Sequence, residues 1–90
     1  MPIIKITAPL RPYVNNKAEV PVNGQMVSDV LNDLFAQYPA FKPQLCKDDG
    51  TLRAFVNLFL NGQNIRELQG MNTILDPDDI LSLIPAIAGG

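Results

Sequence analysis

Val27-Ser28-Asp29-Val30-Leu31-Asn32-Asp33-Leu34-Phe35-Ala36-Gln37-Tyr38 is the stretch that decides the fold. Val27, Val30, Leu31, Leu34, Phe35 and Tyr38 recur at i, i+3, i+4, i+7, i+8 and i+11, the spacing of a helix with one apolar stripe. Ser28, Asp29, Asn32, Asp33 and Gln37 occupy the other face. Asp29 falls in the first turn, where the helix dipole favours a negative charge. Pro39 closes the helix at Tyr38, because the residue before a proline is pushed out of the helical region. A stripe of this width must be buried on a second layer, and the rest of the chain supplies strands for it.

Upstream, Ile4 and Ile6 alternate with Lys5 in a first strand over 3–7. Pro9, Pro12 and Asn15-Asn16 mark a turn region. A second strand over 17–22 puts Ala18, Val20 and Val22 on one face. Pro21 within it lacks a ladder donor and demands a sheet edge. Downstream, residues 40–53 connect, with Phe41 and Leu45 anchoring a short helical turn and Asp48-Asp49-Gly50 making a turn. Phe55 to Leu60 follows as a strand with Val56, Leu58 and Leu60 toward the core and Phe55, Asn57 and Phe59 on the far side. Asn61-Gly62 is a tight-turn pair, with a return strand over 63–65 and a loop over 66–79. The last strand, 80–84, buries Leu81 and Leu83 and leaves Ser82 outside; Pro85 ends regular structure. The order ββαββ-loop-β predicts an α+β fold, one domain over 1–90, with a mixed five-stranded sheet in the order 2-1-5-3-4 under one main helix.

Composition narrows the chemistry. The 90 residues carry a net charge of −2 and contain no His, no Trp and a single Cys. A zinc site of Cys and His, or a triad using His, cannot be assembled, and no metal site is expected. One Cys cannot close an internal disulfide. No basic run offers a footprint for nucleic acid or a patch for a membrane surface. The first residues, Met-Pro-Ile-Ile-Lys, do not read as a signal peptide. A cytoplasmic location is the expectation.

The final pair, Gly89-Gly90, is the sharpest functional feature. Chance would place two glycines there in about 0.5% of chains. The segment before it, Ala86-Ile87-Ala88, is slim, and glycine admits backbone conformations closed to other residues. Such a tail can be threaded into another protein's active site and present an unhindered carboxylate.

The tail Pro85-Ala86-Ile87-Ala88-Gly89-Gly90, the segment Asp-Pro-Asp-Asp-Ile-Leu-Ser-Leu-Ile (76–84), the stretch from Phe55 to Arg66, and Leu10-Arg11-Pro12 together resemble the ubiquitin-like sulfur carriers. That family includes the small subunit of molybdopterin synthase, the thiamine-pathway carrier and the carrier of a cysteine biosynthesis route, and the 55–66 stretch is most similar to the last. The resemblance implies a β-grasp fold and a mechanism. A ubiquitin-activating-like adenylyltransferase uses ATP to adenylate the Gly90 carboxylate. A sulfur donor then converts it to a thiocarboxylate, which delivers sulfur to a cysteine synthase type enzyme or to the large subunit of molybdopterin synthase. The chain itself is then a carrier, not an enzyme, with no permanently bound cofactor. A ubiquitin-like protein modifier is the remaining alternative. Asp78 stands where many members have Gly, which alters the turn and leaves the tail untouched.

The expected site is therefore Gly90, with 86–90 threaded into the partner. Phe55, Phe59 and Ile84, by phase on the sheet face away from the helix, form a docking patch, joined by Arg66 from the resembling segment. Arg11 and Arg53 read as ordinary surface charge. Cys46, with no activating His, reads as a packed thiol. Asp76, Asp78 and Asp79 lack the spacing of a calcium loop and read as a solvated turn.

Overall fold

The computed structural model describes residues 1–85; positions 86–90 lie outside the described residues. Five strands form one sheet: β1 (Ile3–Ile6), β2 (Glu19–Pro21), β3 (Val56–Leu60), β4 (Gln63–Asn64) and β5 (Ile80–Pro85), in the order β2-β1-β5-β3-β4. This is the expected order. β5 is central, parallel to β1 and antiparallel to β3. The β1–β2 and β3–β4 pairs are the two hairpins. The second turns through Asn61 and Gly62, both at positive φ (53° and 81°), as a two-residue hairpin of this type requires.

The main helix, α1 (Val27–Gln37), buries Val27, Val30, Leu31, Leu34 and Phe35. They meet Ile4, Ile6, Val20, Leu58, Leu60, Leu81 and Leu83 from the inner sheet face in one core. Each such side chain, fully buried, contributes about 1.5–3 kcal/mol. No side chain caps the helix at its N-terminus; the Val27 N–H donates instead to the Thr73 carbonyl at 3.0 Å. Just before it, Gly24 (φ +150°) runs so close that a Cβ there would lie 2.5 Å from Asp29 Cβ, which only glycine tolerates.

The structure revises several segments. Residues 8–14, expected as a turn region, form a 3₁₀ helix (Ala8–Val14) ending at Asn15 in the left-handed region, φ 56°. Pro9 and Pro12 fix φ near the value a 3₁₀ helix uses, and Val14 anchors it in the core. The second strand is shorter than 17–22, because Asn16 is also left-handed and the Lys17 N–H bonds back to Val14. Ala18 is consequently exposed instead of facing the core. Pro21 does sit on the edge strand.

The connector forms a 3₁₀ turn (Pro39–Phe41) running into α2 (Lys42–Leu45), both pinned by buried Phe41 and Leu45. Tyr13 stacks on Phe41 with ring centroids 5.7 Å apart. Phe55 is not part of β3. A turn closed by Val56 N–H to the Arg53 carbonyl, 3.0 Å, precedes the strand. Ile65 leaves β4 to open a 3₁₀ turn (Ile65–Glu67), and a second turn spans Gly70–Asn72. Pro85 does not end the strand ahead of itself: it is the last residue of β5, opposite Val56. β1 pairs with β5 only as far as Leu83, and a ladder end tolerates a residue with no N–H.

Candidate functional site

The register of β5 defines the place where the tail begins. Ile84 lies opposite Asn57, and Pro85 opposite Val56, on the β3 side. On the other side Leu83 lies beside Ile6 of β1. Because side chains alternate, Ser82 and Ile84 point to the outer face with Phe59 and Asn57, while Leu83 points to the core. Phe59 is directly across from Ser82, so Ile84 is its diagonal neighbour on the same face. Ile84 is 40% exposed and Phe59 half-buried.

Two of the three apolar residues expected on this face, Phe59 and Ile84, are thus brought together. Phe55 is 45% exposed, but it stands in the turn before β3, so strand phase does not place it on the sheet. Ile80, 39% exposed, shares the parity of Ile84 and extends the apolar face toward the other end of β5. The same alternation that buries Leu81 and Leu83 was the signal for it.

Arg66 is held on this face by defined bonds. Its Nη1 donates to Asn57 Oδ1 at 3.0 Å and its Nη2 to the Val56 carbonyl at 3.1 Å. Asn64 Nδ2 donates to the same Asn57 oxygen at 3.2 Å, and Asn64 Oδ1 accepts the Arg66 backbone N–H at 2.9 Å. Asn57, read from sequence only as the residue that sets the strand phase, is therefore the hub that fixes Arg66 beside the last rungs of β5. Arg53 is tied elsewhere, to the Pro43 carbonyl.

The other chemistry-bearing residues do not gather. Cys46 is buried, and burial pushes its thiol pKa up, against the opposing pull of Lys42 and Arg53. The Asp79 carboxylate accepts the Asp76 N–H at 2.8 Å and closes its own turn. Among the described residues, no three His, Cys, Asp or Glu side chains approach closely enough to hold a metal ion, and no helix is long and apolar enough to cross a membrane. Gly90 and the rest of the 86–90 tail lie outside the described residues.

The ThiS family model matches this chain over residues 4–90. The chain belongs to the ThiS family. It is a ubiquitin-like sulfur carrier with a β-grasp fold. Among the ThiS-family chain's relatives, the sulfur carrier protein CysO of Mycobacterium tuberculosis is 30% identical over 89 residues, 97% of this chain and 96% of that one. Small archaeal modifier protein 3 of Haloferax volcanii is 41% identical over 64 residues, covering 71% of this chain and 68% of its own. A chain in the crystal structure of the Amycolatopsis orientalis BexX/CysO complex is 26% identical, with a TM-score of 0.90 over 100% of both chains. The curated CysO relatives carry the name sulfur carrier protein.

Proposed function

We propose that Gly90 is the reacting group of a sulfur carrier that serves cysteine biosynthesis. The Gly90 carboxylate attacks the α-phosphorus of ATP on a ubiquitin-activating-like adenylyltransferase, and pyrophosphate leaves. A sulfur donor then attacks the acyl carbon, AMP leaves, and a thiocarboxylate remains. Its sulfur is a soft nucleophile that attacks an activated carbon of the acceptor on a cysteine synthase type enzyme and displaces its leaving group; hydrolysis of the resulting acyl C–S bond releases the sulfur on the acceptor and restores the Gly90 carboxylate. Tethering the sulfur to a folded domain raises its local concentration at that acceptor. ATP is the partner's substrate, which fits a cytoplasmic setting.

One observation carries this reading. The central strand ends at Pro85, and residues 86–90, all small apart from Ile87, come after it in the sequence. Fully extended, they reach roughly 17 Å, enough to cross a partner's surface while the globule stays outside. Phe59, Ile84 and Arg66 then meet that surface. The match to CysO, named a sulfur carrier, over 97% of this chain supports the carrier reading.

The match to a small archaeal modifier protein favours a second reading, in which Gly90 is joined to lysines of other proteins. Both begin with the same adenylation. Intact-mass measurement after incubation with the adenylyltransferase, ATP and a sulfide source separates them. Exchange of one oxygen for sulfur supports the carrier; an unchanged mass with an enzyme that forms the adenylate overturns it. Lysine-linked conjugates in a lysate would favour the modifier.

A further inference from the structure

Beside β3 the inner side of the sheet is not closed. Val56 and Leu58 point inward, yet the space next to them is bounded by Leu52 of the connector and by Ile65 and Met71 of the two 3₁₀ turns, and no residue of α1 lines it. A hollow of about 300 Å³ with largely apolar walls remains there. Gly50 and Gly70 belong to its lining, and a Cβ at either would meet nothing within 4 Å, so the wall is open at both. Arg66 lines it too. Two of the N–H groups of its guanidinium go to Asn57 and to the Val56 carbonyl. Both acceptors are neutral, so these bonds leave the positive charge without an offset. Apolar walls with a polar anchor at one point are the make-up of a binding site.

The sheet register decides which segment lies nearest. Pro85 is opposite Val56, and residues paired in this way share a face, so Pro85 belongs to the inner side with Leu83. In sequence the next position of that parity is Ile87, the one large side chain within 86–90. Opposite Cα atoms stand about 5 Å apart, and two further residues reach roughly 7 Å. A side chain at position 87 is therefore within range of the hollow that Val56 lines. Three more residues add roughly 10 Å, slack enough to bring position 90 back to Arg66. The exposed apolar residue Met1 cannot compete for the hollow, because Ile3 pairs with Ile80 at the opposite end of β5.

We infer that this hollow is the docking place of the chain's own 86–90 segment, with the Ile87 side chain inside it and the Gly90 carboxylate on the Arg66 guanidinium. The inference rests on the proposed reaction at Gly90. A tether this short holds the side chain at an effective concentration on the order of millimolar, so a contact too weak to retain a free peptide is populated within one chain. The carboxylate adds a charge-assisted, directional pair at the rim. Docking in this way shields the glycyl carboxylate, and the activating enzyme has to withdraw the segment before adenylation. The apparent affinity of the enzyme for the carrier is then reduced by the fraction of chains whose segment is free.

The test is methyl NMR on the full chain, followed by ATP–pyrophosphate exchange. Cross-peaks are expected from the Ile87 methyls to those of Leu52, Ile65 and Met71. Ile87→Ser should remove them and shift the same pocket methyls, leaving those of Leu31 and Leu81 in place. R66Q should weaken the cross-peaks and move the Gly90 amide resonance. The free peptide acetyl-Ile-Ala-Gly-Gly should shift the pocket methyls of the I87S chain more than those of the unaltered chain, whose hollow is taken. In the exchange assay with the ubiquitin-activating-like adenylyltransferase, Met71→Gln and Leu52→Gln should each lower the KM for the carrier about threefold with kcat unchanged, melting curves showing which variant is folded. Absent Ile87 cross-peaks, or equal peptide shifts in both chains, overturn the docking and leave the hollow open to a partner. An unshifted KM in a folded variant overturns the shielding. No exchange with the unaltered chain, using an enzyme shown to be active, overturns the reaction at Gly90 and leaves the NMR result standing.

Discussion

The two faces of the sheet are built from the same strands by the same alternation, and they are used for opposite ends. On the inner face Ile4, Leu81 and Leu83 are fully buried, and Leu58 nearly so, under α1. On the outer face Lys5, Asn57, Phe59, Ser82 and Ile84 alternate with them, and none is buried. Exchanging a side chain inward is a change in the core; exchanging its neighbour outward is a change in the exposed face. β5 carries both functions at once, since Leu83 holds the sheet to the helix while Ile84, the next residue, stands beside the tail root.

That division can be broken at several points. The largest effect lies past both faces. Deleting Gly90 should abolish adenylation and thiocarboxylate formation, while the melting temperature stays as it was. Residual thiocarboxylate by intact mass would show that the terminal glycine is not the reacting group.

Next in size is Leu83→Ala. The cavity it leaves in the core should lower the unfolding free energy by about 2–5 kcal/mol, measured by urea denaturation. A loss below 1 kcal/mol would mean that the inner face does not hold the fold. Ile84→Asp, one residue on, should cost no more than about 1 kcal/mol of stability and instead raise the KM of the activating enzyme for the carrier. If both neighbours cost the same stability, the contrast between the faces is lost.

The smallest effect lies in the exposed connector. The Asp49 carboxylate accepts from the Thr51 hydroxyl at 2.6 Å and from the Thr51 N–H at 3.0 Å. Those bonds hold its pKa below the ordinary aspartate value. A depressed folded-state pKa contributes stability above the unfolded value and loses it as pH falls through the folded one. NMR titration should find Asp49 below the usual aspartate midpoint, with Thr51→Val moving it back up. An identical midpoint in both proteins would remove the hydroxyl as a cause.

Much of the fold was legible because its signals are local. The stripe from Val27 to Phe35, the alternation around Leu81 and Leu83, the Asn61-Gly62 turn and the edge demanded by Pro21 each follow from periodicity or backbone chemistry. The strand order followed once β5 was set beside β1. The misjudged segments are short ones in which neighbours compete. Pro9 and Pro12 gave a 3₁₀ helix and not an open loop, because Val14 found a place in the core. Phe55 has the composition of a strand residue, but the Arg53–Val56 turn claims it first. Of the candidate site, Gly90 could be read from the sequence and from nothing else, while Arg66 could be singled out but not placed.

The sequence by itself determined which residues face inward along α1, β1, β3 and β5, since that is a property of residue type and spacing. Only the tertiary structure decided that Asn57 anchors Arg66 and that Arg11 stands across β5 from it. Arg11 and Arg66 are more than fifty positions apart, and they flank one strand because sheet pairing brings β1 and β3 to either side of β5, which no local pattern encodes.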